Sequence, residues 1–310
     1  MKRRMITRRA WMAAATMAAL AGLCRGEAPA AGSFRFLTFN IFGAGYSGFK
    51  AEEREDRAID VVRGIAPDII SWQEVNAGWW NSKLFKALAE EFTIVRGDED
   101  EALVRAGADL SQRKANWVNH EPLMFRSARF AMLDHGLDFY HISLQFEKSL
   151  TWAVLEDKTS GKRLIAFATH FWWQDNGKES DAIRELNVRH ILWRLADVRR
   201  KWGDLPVVGG GDLNCTADSM PLKTFRQNGF VNVREILAPE LKTPTWHGHV
   251  FRDAQGKCRG LDGDPAKKHR TIDHIFFSKG RFIPLAYAVE TRPEARDISD
   301  HYPVYADLAL

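Results

Sequence analysis

Three cysteines in 310 residues, Cys24, Cys215 and Cys258, are too few for a disulfide-dense scaffold or a thiolate metal cluster. Long apolar runs are missing too. The most apolar stretch, AAATMAALAGL near the start, is too short to span a bilayer comfortably. After residue 33 there is no fixed-period repeat, low-complexity tract or linker. A strong charge of one sign is also absent. The formal balance is +4, but residues 1–30 hold six basic groups and one acid, which leaves 38 basic and 39 acidic groups, or −1, over residues 31–310. This excludes a globally polycationic surface, though not a local basic groove.

The first thirty residues read as an export signal. Lys2-Arg3-Arg4 and Arg8-Arg9 form a basic start, a short apolar core follows, and Ala28-Pro29-Ala30 fits a cleavage site. Arg8-Arg9 before Ala-Trp-Met is similar to the twin-arginine type. Cys24 follows LAGL, but Leu23 stands where lipoprotein sites place a small residue. The expectation is a periplasmic or secreted protein with residues 31–310 as a single domain and no transmembrane segment after signal removal. Export permits a disulfide between Cys215 and Cys258, and two separate thiols fit equally well.

Strand and helix patterns mix along the chain. FRFLTFNIF (34–42) alternates as a strand does, and residues 51–65 place Ala58, Ile59, Val62 and Ile65 at helical spacing. A strand follows at 69–75 and an amphipathic helix at 82–92. Further strands are expected at 121–126, 150–156 and 163–169, and a long helix at 179–202 with Ile183, Leu186, His190, Ile191, Trp193 and Leu195 on or near one face. LPVVG (205–209) reads as a strand that stops at Gly209-Gly210-Gly211, glycines that fit a turn or close backbone packing at the sheet edge, before a short helix at 219–228 and an irregular segment at 239–270. Runs at 271–277, 284–290 and 302–308 close the chain as strands. Without strict β-α-β alternation, this order favours layered mixed sheets with helices outside.

Polar residues gather where these runs end. Asn40 ends the first, Glu74 the second and His170 the run LIAFATH. Asp212 and Asn214 follow the glycines, Asp273 opens TIDHIF, and Asp300-His301 precede the last strand. Catalytic groups collect at such edges, held by a rigid scaffold. Carboxylates and amides without thiolates suit a hard divalent cation, Mg2+ or Mn2+. Two histidines with spare acids permit Asp–His pairs, and a metal with a positioned water suits attack at phosphorus.

In order, TFN, WQEV, ATH, GGDLN, IDHIF and SDHYPV resemble the motifs of the endonuclease/exonuclease/phosphatase superfamily, the fold of DNase I and exonuclease III. The resemblance runs from Phe34 to Leu308 and implies an α/β fold, a four-layer sandwich of two packed mixed sheets flanked by helices. It further implies Glu74 as the main metal ligand, with Asn40 beside it and Asp300 nearby. Asp212 would orient or deprotonate water, Asn214 would hold a phosphate oxygen, and Asp273 would pair with a phosphate-contacting His301. His170 would face the leaving group, oriented by Glu121, although Pro122 after that acid departs from the usual pattern.

Other residues carry two readings. Trp172 and Trp173, just past His170, are read as an aromatic rim for a base, sugar or headgroup ring. Trp79-Trp80 reads as packing, and His274, next to Asp273 on a strand, is expected to face away. Arg184 and Asn187 fit a substrate side or a solvated helix face. His247, with His249, fits a substrate loop, an exposed turn or a metal pair, and the basic residues 257–270 fit a phosphate contact or a solvated loop. The leading expectation is a monomeric, exported, metal-dependent phosphodiesterase or phosphatase for a small-molecule or lipid-headgroup ester. An extracytoplasmic endonuclease acting on nucleic acid and a non-catalytic binding protein on the same fold remain open.

Overall fold

A computed structural model describes residues 29–30, 32–140, 147–248, 250–252, 258–260 and 270–310. The first 28 residues, where an export signal is expected, His249, the Cys258 side chain and most of the basic stretch 257–270 lie outside them.

In chain order the main elements are β1 (Ser33–Asn40), α1 (Glu55–Ile65), β2 (Ile69–Gln73), α2 (Ala77–Trp80), α3 (Lys83–Leu88), β3 (Phe92–Val95), α4 (Glu99–Arg105), β4 (Leu123–Arg126), β5 (Phe130–Phe139), β6 (Ser149–Asp157), β7 (Arg163–His170), α5 (Lys178–Trp202), β8 (Val207–Asp212), α6 (Met220–Gln227), β9 (Phe230–Asn232), α7 (Val233–Leu237), β10 (Val250–Arg252), β11 (Cys258–Gly260), β12 (Asp273–Ser278), β13 (Ile283–Val289), α8 (Pro293–Arg296) and β14 (Val304–Ala309). One six-stranded sheet has the order β13-β14-β1-β2-β4-β3, the other β5-β6-β7-β8-β12-β9.

The layers follow from period-two patterning. On β1, Phe34 and Phe36 point between the sheets, where they join Leu155, Ala166, Val208, Ile275 and Ala306. Leu37 and Phe39 point the other way, onto Val62 and Ile65 of α1 and Leu84 of α3. The second sheet turns Ile165, Phe167, Val207 and Phe276 outward onto Val188, Ile191 and Leu195 of α5 and Phe225 of α6. Both faces of each central strand are therefore covered, which is why these strands read as nearly unbroken apolar runs. This is the expected four-layer sandwich.

Each sheet contains a central parallel pair, β1–β2 in one and β7–β8 in the other. Their registers align the C-terminal ends, Asn40 with Gln73 and His170 with Asp212. Antiparallel β12 begins opposite Asp212 at Asp273, and antiparallel β14 places Val304 opposite Thr38. The carboxyl ends of parallel strands are the usual ligand side of an open α/β sheet. Here the two sheets present those ends together.

At the glycine triplet the strand bound departs from the sequence expectation, while the close backbone packing expected of the glycines is found. The strand does not stop at Gly209 but runs through all three glycines to Asp212, between β7 and β12. A Cβ at Gly209 would lie 2.2 Å from the Phe167 ring, at Gly210 2.0 Å from the His274 carbonyl oxygen, and at Gly211 1.8 Å from the Thr169 carbonyl oxygen. The Gly210 carbonyl also accepts the Ser71 hydroxyl from the facing sheet at 2.8 Å. Glycine here allows close backbone approach inside the sheet rather than a turn. Gly210→Ala is expected to cost about 2–3 kcal/mol or more, since backbone cannot yield as a flexible side chain does. Urea denaturation checks this, and an unchanged midpoint would contradict it.

Other boundaries differ too. The helix expected to Phe92 ends at Leu88, and Phe92 opens β3. On α5 the buried stripe is Arg184, Asn187, Val188, Ile191, Leu195 and Val198, while Leu186 and Trp193 face solvent. Trp79 is fully buried in the core around α1 and α3. Cys215 is a free, buried thiol, pushed up to about 12 by burial.

Candidate active site

The polar strand ends meet in a cavity of about 390 Å³ lined by Glu74, His120, Lys148, His170, Trp173, Asp212, Asn214, Trp246, Arg270, Asp300 and His301, among others. Asp212 is its hub. Its Oδ2 accepts from Asn40 Nδ2 at 3.1 Å and lies 3.2 Å from His170 Nε2 and 3.5 Å from His301 Nε2. Its Oδ1 accepts the Asn214 backbone N–H at 2.9 Å. Burial opposes the charge on Asp212, but His170 and His301 outweigh it and hold the carboxyl well below its ordinary range.

Three strand ends complete the arrangement. His301 Nδ1 lies 2.9 Å from Asp273 Oδ2. Burial disfavours the imidazolium, yet Asp273, Asp212 and Asp300 prevail and push His301 up to about 10, so it is cationic at neutral pH. Glu74 Oε1 accepts from Asn40 Nδ2 and Oε2 from the Gly43 N–H, both at 3.0 Å. Burial opposes the Glu74 charge, while Lys148 and His170 lower it below the usual carboxylate range. Burial, opposed by His301 and reinforced by Glu74, raises Asp300 to about 6. Glu74 and Asn214 have φ of 63° and 51°. Left-handed backbone at non-glycine residues is strain that clusters at functional sites.

Supporting contacts come from outside the motifs. The buried Arg54 guanidinium donates to the carbonyls of Ile41, Phe42 and Ile298 at 2.7–2.9 Å, which ties the exit of β1 to the approach of β14. Glu121 is buried, its Oε1 3.6 Å from His170 Nδ1 and its Oε2 accepting the Ser149 hydroxyl. Burial raises the Glu121 carboxyl. Lys148 was not singled out in the sequence. It is buried, with Nζ 2.8 and 2.9 Å from the two ring nitrogens of His170. Its neighbours Glu147 and Ser149 form no motif, and only its place at the start of the strand pairing with β7 could have pointed to it.

Asn40, Glu74, His170, Asp212, Asn214, Asp273, Asp300 and His301 are thus brought together, with Glu121 behind His170. The substrate-side expectations fare differently. Trp173 lines the cavity with 55% of its surface exposed. Trp172 does not line it, and its carbonyl accepts from Arg184 Nε at 2.9 Å. Arg184 is buried and also donates to the Gln174 carbonyl at 2.6 Å, so it anchors the β7–α5 loop instead of facing substrate or solvent. Asn187 is buried on the same helix. His247 is buried against the Tyr302 ring, with centroids 4.4 Å apart, and does not line the cavity. His274 faces away from the cavity, toward Asn232 and the Cys215 carbonyl.

The model of the Endonuclease/Exonuclease/phosphatase family matches residues 37–301, a span that holds all of these strand ends. The chain belongs to this family. Members of the family are phosphoester hydrolases. Solved structures share the family fold. A Bacteroides vulgatus endonuclease/exonuclease/phosphatase is 22% identical, with 90% of this chain and 99% of that chain covered and a TM-score of 0.64. The Bacteroides thetaiotaomicron mannosyl-6-phosphatase Bt3783 is 18% identical, covering 90% and 100%, with a TM-score of 0.65. The human Nocturnin catalytic domain with bound sulfate is 18% identical, covering 91% and 96%, with a TM-score of 0.66. The Arabidopsis thaliana carbon catabolite repressor protein 4 homolog 3 is 25% identical over 224 residues, which are 67% of this chain and 45% of that protein's length.

The donor set in this family member fits a hard divalent cation. Glu74 is kept ionised, Asp300 adds a second carboxylate, and no thiolate lines the cavity among the described residues, whereas the Asn40 amide turns its NH2 to Glu74 and Asp212 and its oxygen to the Phe42 N–H at 3.0 Å, so Asn40 orients the carboxylates instead of offering an oxygen ligand. Asp212, Asp273 and His301 also place ligand atoms within 4.8 Å of one another. In that group His301 is already committed to Asp273, and its proton would compete with an ion.

Proposed function

We propose that this chain is an exported, divalent-metal-dependent phosphodiesterase or phosphatase for compact phosphate esters. The observation that carries this reading is Asp212, an ionised carboxylate held between two histidines at the edge where Glu74, Asn40 and Asp300 also converge. In this reading Asp212 orients the attacking water. His301, charged and fixed by Asp273, donates to a phosphate oxygen as negative charge develops. Asn214 Nδ2, 3.1 Å from His170 Nε2, offers a second donor, and Lys148 adds a buried positive charge facing the same phosphate. His170, backed by Glu121, serves the leaving-group side. Glu74 and Asp300, with Asn40 orienting Glu74, would hold Mg2+ or Mn2+, which family enzymes generally use and which, when bound, neutralises phosphate charge and polarises the ester.

Compact esters are favoured over extended nucleic acid for two reasons. The balance of −1 over residues 31–310 supplies no general attraction for a polyanion. The lining also mixes Glu147, Glu74, Asp212 and Asp300 with Lys148 and Arg270. Trp173 then supplies a face for a sugar or aryl ring. The mannosyl-6-phosphatase neighbour is consistent with such a substrate. A nuclease is the second reading, because a Danio rerio TDP2 of the same fold, 17% identical, is complexed with a single-strand DNA product. Export rests on the basic and apolar pattern of residues 1–30. No helix among the described residues is long and apolar enough to cross a membrane.

A panel of an aryl phosphomonoester, an aryl phosphodiester, mannose 6-phosphate and a single-stranded oligonucleotide tests this reading. Residues 31–310 are expected to turn over one of the small esters fastest with Mg2+ or Mn2+ and none with excess EDTA. Faster cleavage of the oligonucleotide than of every small ester would favour the nuclease, and full activity in EDTA would overturn the metal-dependent reading.

A further inference from the structure

Residues 245–248 belong to neither sheet, yet they grip both at the cavity edge. Thr245 Oγ1 accepts the backbone N–H groups of Ile272 and Asp273 at 3.0 Å, at the start of β12 in one sheet. The N–H groups of His247 and Gly248 donate to the Asp300 carbonyl at 3.0 and 3.1 Å, ahead of β14 in the other. The Thr245 carbonyl accepts the Tyr302 N–H at 2.7 Å. The segment thus braces Asp273, at the start of β12, against Asp300, on the loop ahead of β14.

Trp246 sits at the centre of this brace. Its indole N–H donates to Asp300 Oδ2 at 3.2 Å. The other Asp300 oxygen has looser neighbours, Ser299 Oγ at 3.4 Å and His301 Nε2 at 3.9 Å. Trp246 is itself held. Its backbone exchanges hydrogen bonds with Arg270 at 2.9 and 3.2 Å, and the Arg270 guanidinium lies 5.1 Å from its ring centroid. Arg270 Nη1 then reaches Asp175 Oδ2 at 3.0 Å, on the loop that carries Trp173.

We propose that Trp246 is a positioning residue whose indole N–H fixes the Asp300 carboxylate for the divalent cation, with the Arg270–Asp175 pair holding the indole in place. This rests on the reading of Asp300 as a metal ligand. The mechanism is preorganisation. A carboxylate with one oxygen anchored presents the other in a defined direction, whereas a free one must be ordered on binding.

The test is Mn2+ binding without substrate, followed by electron paramagnetic resonance of the free ion, in the intact protein and in Trp246→Phe, Asp300→Asn, Glu74→Gln and the double variant Trp246→Phe/Asp300→Asn. Trp246→Phe keeps a ring but removes the donor. It is expected to raise the Mn2+ Kd about 10-fold, the lower end for residues that orient metal ligands. At saturating Mn2+ its kcat is expected to return toward that of the intact protein. In the Asp300→Asn background the same change is expected to add little, because the carboxylate it orients is gone. Arg270→Gln is expected to weaken Mn2+ binding in the same direction and less, and it serves as the readout if Trp246→Phe does not fold.

An unchanged Mn2+ Kd in folded Trp246→Phe, with Asp300→Asn impaired, would overturn the positioning role alone. An equal penalty from Trp246→Phe in both backgrounds would overturn it too, by showing that the effect bypasses Asp300. If Glu74→Gln weakens Mn2+ binding and Asp300→Asn does not, Asp300 is no ligand, and the proposal falls while the hydrolase reading stands. If neither changes binding, the metal assignment itself fails.

Discussion

His301→Ala is expected to lower kcat about 100- to 10,000-fold while KM changes little. The lower figure corresponds to removing one charge-stabilising donor, and the higher one to losing an acid–base group as well. Strand register sets the position of the His301 ring. Asp273 opens β12 directly opposite Asp212, and His301 lies three residues before Val304, the first residue of the strand that pairs with β1. This geometry puts the His301 ring between Asp273 at 2.9 Å and Asp212 at 3.5 Å. The imidazolium is held by acids that the fold fixes before substrate arrives, so little reorganisation is needed when charge develops on phosphate. Loss of a contact made mainly in the transition state appears in kcat. A rise in KM at constant kcat would assign His301 to substrate binding instead.

Glu74→Gln is expected to raise the metal concentration needed for half-maximal activity by about 10- to 100-fold, in the range seen when the coordination of a bound metal is disturbed. Glutamine keeps the shape and one acceptor oxygen but loses the charge. In the native protein Glu74 Oε1 is held by Asn40 and Oε2 by the Gly43 N–H, and Lys148 and His170 keep the group ionised despite burial. Glutamine would also turn a donor toward either the Asn40 amide or the Gly43 N–H, so the site is disturbed locally as well as neutralised. Titrating Mg2+ and Mn2+ against turnover measures the shift. An unchanged midpoint with intact secondary structure by circular dichroism would remove Glu74 from the metal site.

Much of this site can be read from sequence because chemistry interrupts apolar runs at strand ends. Asn40, Glu74, His170, Asp212 and Asp300-His301 each break a buried pattern, and a shared edge explains them together. What escapes notice is whatever has no such contrast. Lys148 is a single basic residue beside a single acid, indistinguishable in sequence from a solvated surface pair. Arg54 lies among the acids of AEEREDR and looks solvated, yet its guanidinium is buried against three carbonyls. FAMLDHGLDF forms β5 with a mixed pattern because its middle residues are partly exposed, so neither strand nor helix periodicity stands out. The glycine triplet fits both a turn and close backbone approach in sequence, the motif order favours the second, and the positions of the Phe167 ring and the Thr169 and His274 carbonyls bear it out. Arg184 and His247 have the right residue types near the right motifs, but the first serves the loop backbone and the second packs on Tyr302.

The most direct test of the account is turnover of an aryl phosphate ester by the protein and by Asp212→Asn, side by side with saturating Mg2+ or Mn2+ and with both proteins shown to be folded. Asparagine retains the acceptor toward the Asn214 N–H but abolishes the charge between His170 and His301. The expected result is metal-dependent hydrolysis by the native protein and a loss of at least about 100-fold in the variant. A folded Asp212→Asn protein that hydrolyses the ester at the native rate would contradict the central place given to this carboxylate.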